Sequence, residues 1–249
     1  MSSTQKINNG TYPVRTILII GRTGSGKSTL ANVITGSDSF EESARSVSVT
    51  RNYQIEDYLI DGILYRVVDT VGIGDTRSTE LEVLFQLVEA AHCIKYGFNQ
   101  LLFVTNGRFT ETEIKAYDLM RAVVFNEEII KYTTIVRTNF PEFEEPVKCH
   151  EDCDKMIKEN GKLSKIIQAC NRIIHVDNPP LIGISKATNE EIRKESRTTI
   201  LEHLNSCNEI YLPKDTKDLN QSIDNYIADE ESFQKQINDL NERLQELLV

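Results

Sequence analysis

The chain has 249 residues, 39% of them hydrophobic, enough for one well-buried α/β domain with an appendage rather than two full domains. Its 28 basic against 38 acidic residues leave a net charge of −10, which argues against nucleic acid or an anionic lipid surface as the main partner. No run reaches the roughly 18 to 20 apolar residues of a membrane span, and the start MSSTQKINNG lacks the apolar core of a secretory signal, so no membrane span and a cytoplasmic setting are expected.

Residues 1–13, with Asn8-Asn9-Gly10 and Pro13, are polar and read as a flexible lead-in. Thr16 to Ile20 is an apolar, β-branched run ended by Gly21, as expected of a strand buried on both faces of a parallel sheet. Asp61-Gly62 separates two β-rich runs and predicts a hairpin, antiparallel at one edge of that sheet. Leu81, Leu84, Phe85, Val88 and Ala91 step by three and four and predict a helix before the strand QLLFVT. The unit repeats: a helix from about 111 to 125 and the strand YTTIV, then a helix through Met156, Ile157, Leu163, Ile166 and Ile167 and the strand RIIHV. Strands alternating with amphipathic helices predict a three-layer α/β fold with a mostly parallel sheet covered on both faces, which the loop motif described next makes one of the phosphate-loop NTPase kind. Cys149-His150-Glu151-Asp152-Cys153 offers three soft ligands in one turn without a second cluster, and reads as a solvated helix start rather than a zinc site.

Gly21-Arg22-Thr23-Gly24-Ser25-Gly26-Lys27-Ser28 fits G-x-x-x-x-G-K-[ST] between a predicted strand and a predicted helix, the context this motif requires. Such a loop, Gly21 to Thr29, points backbone N–H groups at phosphate oxygens, and the N-terminus of the helix STLANVITG that follows adds partial positive charge. Lys27 supplies a point charge to the β- and γ-phosphates, and Ser28 a hydroxyl to Mg²⁺. Asp69 and Gly72 form D-x-x-G at the end of a strand, where the carboxylate would complete the metal shell and the glycine N–H would meet the γ-phosphate. Thr50, between these motifs, is the expected second hydroxyl ligand.

These motifs, together with LLFVTNGRFTETE and its Gly107-Arg108-Phe109-Thr110 box, resemble the AIG-type GTPases, also called IAN or GIMAP proteins, over residues 14 to 205. The resemblance implies an AIG-type G domain at 14–208, GTP and GDP as ligands with Mg²⁺, and slow GTP hydrolysis under nucleotide-controlled assembly. It also implies that Asn178, in CNRIIHVDN, lies against the guanine. The chain departs from the usual pattern twice. N-K-x-D is replaced by RTNFPEFEEP, where Arg137 and Thr138 echo the family's altered motif and Asn139 and Glu142 are alternatives for the base contact. The water-orienting glutamine after D-x-x-G is replaced by Ile73, which predicts slow turnover by an isolated copy. Arg108 is then a candidate arginine finger reaching across a homodimer, or else a surface arginine that holds its own loop.

Residues 209–249 read as a helical extension, with Phe233, Ile237, Leu240, Leu244 and Leu247 in a heptad-like stripe. That stripe packs on its own domain or forms a coiled coil with a helical partner. Two other readings stand beside the GTPase switch. One is a nucleotide-gated scaffold with negligible hydrolysis; the other is an ATP-using phosphotransferase, which would need an arginine-rich lid that the sequence lacks.

Overall fold

A computed structural model of the chain describes residues 12–42, 53–70, 96–107, 109–121, 127–159 and 161–212, together with Gly72, Ile94, Phe125, Asn225 and Ala228. The expectations for residues 1–11, Thr50, Ile73, the helix at 81–91, Arg108 and the stripe from Phe233 onward lie outside the described residues.

Six strands form one sheet: β1 Val14–Gly21, β2 Tyr53–Ile60, β3 Ile63–Thr70, β4 Gln100–Asn106, β5 Thr133–Thr138 and β6 Arg172–His175, in the order β2-β3-β1-β4-β5-β6. Every neighbouring pair is parallel except β2 with β3. That pair is the predicted edge hairpin: Ile60 faces Ile63 across a turn in which Asp61 (φ 49°) and Gly62 (φ 80°) are both left-handed, the geometry that follows the twist of two paired strands.

β1 is apolar over 17–20 because those side chains alternate between two buried faces. Ile17 and Ile19 pack on one face with Leu30 and Ile34 of helix α1 (Lys27–Thr35) and with Ile200 and Leu204 of helix α5 (Lys186–Ser206). Leu18 and Ile20 pack on the other with Ile114 and Tyr117 of α2 (Glu111–Leu119), Met156 of α3 (Pro146–Glu159) and Leu163, Ile166 and Ile167 of α4 (Gly161–Ala169). The single helix predicted through Met156 and Ile167 is therefore two, α3 and α4, which bring separate apolar faces to one core. The predicted helix from about 111 starts on a capping box: Thr110 N and Oγ1 donate to Glu113 Oε2 at 2.8 and 2.9 Å, and Glu113 N donates back to Thr110 Oγ1 at 3.2 Å.

The chain closes beneath the amino ends of the strands. Arg15 donates to the Leu204 carbonyl and, at 2.6 Å, to Asn208 Oδ1, while Phe98 and Tyr211 exchange backbone hydrogen bonds of 3.0 and 2.8 Å. The buried Tyr211 ring completes an aromatic cluster, edge-on to Phe125 and Tyr132 and tilted against Phe98.

Candidate nucleotide site

The opposite, carboxyl ends of the strands carry the motifs. β1 lies between β3 and β4, so consecutive connections diverge from it and leave a crevice at its end, where parallel sheets place their ligands. The loop from Gly21 to Ser28 occupies that crevice. Gly26 sits at the N-cap of α1 with φ 90°, which a side chain would disfavour, and the Leu30 N–H donates to its carbonyl at 2.8 Å. Lys27 is buried, and its Nζ donates to the Arg22 carbonyl at 3.1 Å, so the ammonium lies across the loop.

Ser28 Oγ donates to Asp69 Oδ2 at 2.6 Å, which joins the first turn of α1 to the end of β3. Asp69 Oδ1 is buried without a partner. Burial pushes the Asp69 carboxyl up, against the Ser28 hydrogen bond and the Lys27 charge; burial likewise pulls the Lys27 ammonium down, against the charge of Asp69. A buried carboxylate with a free oxygen, a serine hydroxyl and a lysine at one end of a phosphate-type loop is the donor set a hard divalent cation and phosphate oxygens require, so the residues fit Mg²⁺ and a nucleoside polyphosphate. Gly72 lies against this loop so closely that a Cβ on it would collide with the backbone nitrogen and Oγ1 of Thr23.

Two struts from neighbouring strands hold the loop. Asn106, at the end of β4, donates from Nδ2 to the Gly24 carbonyl at 2.9 Å and accepts from Arg22 Nη2 at 3.0 Å. Thr138, at the end of β5, donates from Oγ1 to the Ser25 carbonyl at 2.7 Å. Carbonyls tied outward in this way do not compete for the loop N–H groups, of which that of Ser25 donates to the Arg22 carbonyl at 3.1 Å. Arg22 is thus turned to Asn106, Ser25 Oγ is buried without a partner, and Thr29 Oγ1 donates to Glu42 Oε2 at 3.3 Å. Asn106, Thr138 in this role, and Glu42 were not foreseen from sequence, because each acts through a residue distant along the chain.

At the far end of the crevice, beyond β6, Asn178 is buried and both its Oδ1 and Nδ2 lack partners. A buried amide with neither bond made is costly in isolation and suits an atom pair of complementary polarity on a ligand edge. Asn139 (φ 53°) and Glu142 both lie exposed on the loop after β5. Arg137 does not point to that loop: its Nε and Nη2 donate to Asp152 of α3 at 2.8 and 2.9 Å, and Nη1 donates to the Gly107 carbonyl. His175 Nε2 meets the same carboxylate at 2.9 Å, and the Phe140 ring lies tilted against the His175 ring. The CHEDC segment lies at the predicted helix start, in α3, but is not simply solvated: Asp152 turns to Arg137 and His175, and Cys153 packs against the core. Burial raises the Asp152 carboxyl, but hydrogen bonds from His175 and Arg137 and their charge outweigh it and hold Asp152 well below the usual carboxylate range. Among the described residues no group of three or more His, Cys, Asp or Glu is placed to hold a metal ion by itself, and no helix is long and apolar enough to cross a membrane.

A six-stranded sheet in this order, with a phosphate-type loop after β1 and a carboxylate after β3, defines a phosphate-loop GTPase-type fold. The chain belongs to the AIG1 family, whose model matches residues 15–209. It is 29% identical to immune-associated nucleotide-binding protein 13 of Arabidopsis thaliana over 189 residues, 74% of this chain and 55% of that one. It is also 29% identical to GTPase IMAP family member 8 of Mus musculus over 159 residues, 62% of this chain and 22% of that one. The chain thus spans about half the length, or less, of these curated relatives. Among solved structures it superposes on Arabidopsis Toc33 in complex with Mg²⁺ and GMPPNP with a TM-score of 0.55, at 16% identity over 80% of this chain and 88% of that one. A further structure, reported with the finding that dimerisation is important for the GTPase activity of chloroplast translocon components, matches at 0.50, 16% identity and 75% and 84% coverage.

Proposed function

We propose that the chain is a GTP-binding switch protein that hydrolyses GTP slowly with Mg²⁺ and whose nucleotide state controls dimerisation or assembly. The observation that carries this reading is the buried Asp69 carboxylate, with one oxygen on Ser28 and the other free, beside Lys27 at the mouth of the loop. In it Ser28 and Asp69, with Thr50, hold Mg²⁺, and Gly21 to Thr29 with Gly72 surround the phosphates. Bound there, Mg²⁺ supplies neutralisation of the charge on the β- and γ-phosphate oxygens. Lys27 adds a fixed positive charge that is already desolvated and therefore costs little reorganisation as the γ-phosphoryl group leaves. Asn178 takes the guanine edge. Ile73 cannot orient water, so attack on the γ-phosphorus, which releases GDP and phosphate, is slow in a single copy, and acceleration falls to Arg108 of a second copy. The G domain is taken as 14–208 and the residues after it as a helical extension whose stripe serves a helical partner or a coiled coil, in a cytoplasmic protein.

Lys27→Ala and Ser28→Asn test the site, because they remove a direct phosphate contact and a metal-mediated one. Nucleotide titrations are expected to show Lys27→Ala losing GDP and GTP together, and Ser28→Asn keeping more affinity for GDP than for GTP. Parent-like GTP binding by both variants would refute the assignment.

A further inference from the structure

The loop Asp177–Pro180, which carries Asn178, has no strand or helix of its own, so its backbone polar groups need partners elsewhere. They find them on one face of α5. Ser196, fully buried, donates from Oγ to the Asp177 carbonyl at 2.6 Å and accepts from the Asp177 N–H at 3.1 Å. Arg193 Nε donates to the Pro179 carbonyl at 2.8 Å, and Asn189 Nδ2 to the Pro180 carbonyl at 2.7 Å. Positions 189, 193 and 196 fall on one helical stripe, a polar rail that fixes the backbone on both sides of Asn178. Arg193 does more than its two neighbours. Its Nη1 and Nη2 reach Glu42 Oε1 and Oε2 at 3.2 and 3.3 Å, and Glu42 also accepts from Asn32 Nδ2 at 2.9 Å and from Thr29 Oγ1 on α1, the helix that begins with Lys27 and Ser28.

We propose that Arg193 is a specificity-positioning residue: its fork ties the loop that presents Asn178 to the helix that presents Lys27 and Ser28, so that base contact and phosphate contact are held at one spacing. The proposal rests on the guanine-nucleotide reading of the site. A lysine at this position would retain charge toward Glu42 but has no second, fixed donor to offer the Pro179 carbonyl at the same time. The rail therefore acts on the base end of a ligand and leaves the phosphate loop as it is.

The test is calorimetric titration of the full chain with Mg-GDP and Mg-ADP, for the parent, Arg193→Ala, Arg193→Lys and Asn189→Ala, with a melting curve for each. Arg193→Ala is expected to weaken GDP binding about tenfold, the loss of one charge-assisted hydrogen bond, with ADP binding unchanged, so that the ratio of the two constants falls by the same factor. Arg193→Lys should recover the melting temperature but not the ratio. Asn189→Ala, which removes only the Pro180 contact, should lower the ratio by a smaller factor and serves if Arg193→Ala does not fold. Equal weakening of GDP and ADP, or an unchanged ratio in a parent that discriminates, overturns the proposal alone. A parent that binds GDP and ADP alike overturns the guanine reading and the proposal with it.

Discussion

His203 shows what a single buried side chain can impose. Its ring is buried beneath the sheet, and Thr134 Oγ1, which donates to Gln100 Oε1 at 2.9 Å, lies 2.7 Å from His203 Nε2. With the threonine proton spent on Gln100, Nε2 carries the hydrogen and donates to Thr134. Burial, assisted by the Arg172 charge, pulls the imidazole from 6.5 down to about 4. The unfolded chain therefore binds one more proton than the folded chain between pH 6.5 and 4, and stability rises with pH across that window. The contribution is complete above the unfolded value and is lost on acidification, up to about 3 kcal/mol from this one group. Melting curves of the parent and of His203→Gln between pH 7 and 4 should show the variant with the shallower loss; identical pH profiles would contradict the assignment. The phosphate-type loop and the carboxylate Asp69 are marked in sequence because each motif is a run of neighbouring residues, whereas Asn178 enters only through the family resemblance. Thr134, Gln100 and His203 are not so marked, since nothing local sets apart residues that meet from three elements. The same is true of Arg193, Glu42 and Pro179.

Strands were read more easily than helices. β1 and β4 hold short apolar runs, 17–20 and 101–104, that two-sided burial explains, and Asp61-Gly62 marks the antiparallel pair of β2 and β3. Helix α5, 21 residues long, left no clear periodic signal, because Ser196 and His203 occupy inward positions beside Ile200 and Leu204 and interrupt the apolar stripe. The CHEDC segment is a helix start as read, but it is not simply solvated, because Asp152 is paired with Arg137 and His175 across α3, β5 and β6. Those partners are well buried, with Arg137 and His175 side chains 8% and 4% exposed. Asp152→Ala would leave two buried cationic or polar partners unmatched, a loss of about 3 kcal/mol, which for a domain of this size lowers the melting temperature on the order of 10 °C. Because Arg137 also holds the Gly107 carbonyl, the same variant should loosen the turn before α2, visible as faster amide exchange at Phe109 and Thr110. A melting temperature within 2 °C of the parent, on the order of the shift from a 1 kcal/mol change, would show that the ion pair contributes little.

At the scale of the molecule, the two ends of the sheet have separate tasks. The carboxyl ends gather the loop, Asp69, Asn106, Thr138 and Asn178, while the amino ends bind Asn208 to Tyr211. With Ile73 in place of a water-orienting glutamine, turnover per molecule should rise with protein concentration, and Arg108→Ala should remove that rise while sparing nucleotide affinity. Constant turnover across a wide dilution series of the parent would rule out activation by dimerisation, and a rise that persists in the variant would clear Arg108 of the role. All of this depends on the ligand being a guanine nucleotide. Calorimetric titration of the parent with GTP, GDP, ATP and ADP, each with and without Mg²⁺, tests that most directly. The account predicts tight, Mg²⁺-dependent binding of GTP, binding of GDP, and at least tenfold weaker binding of the adenine nucleotides, the least that one lost hydrogen-bonded base contact implies; equal or tighter binding of ATP, or no binding of any of the four, would contradict it.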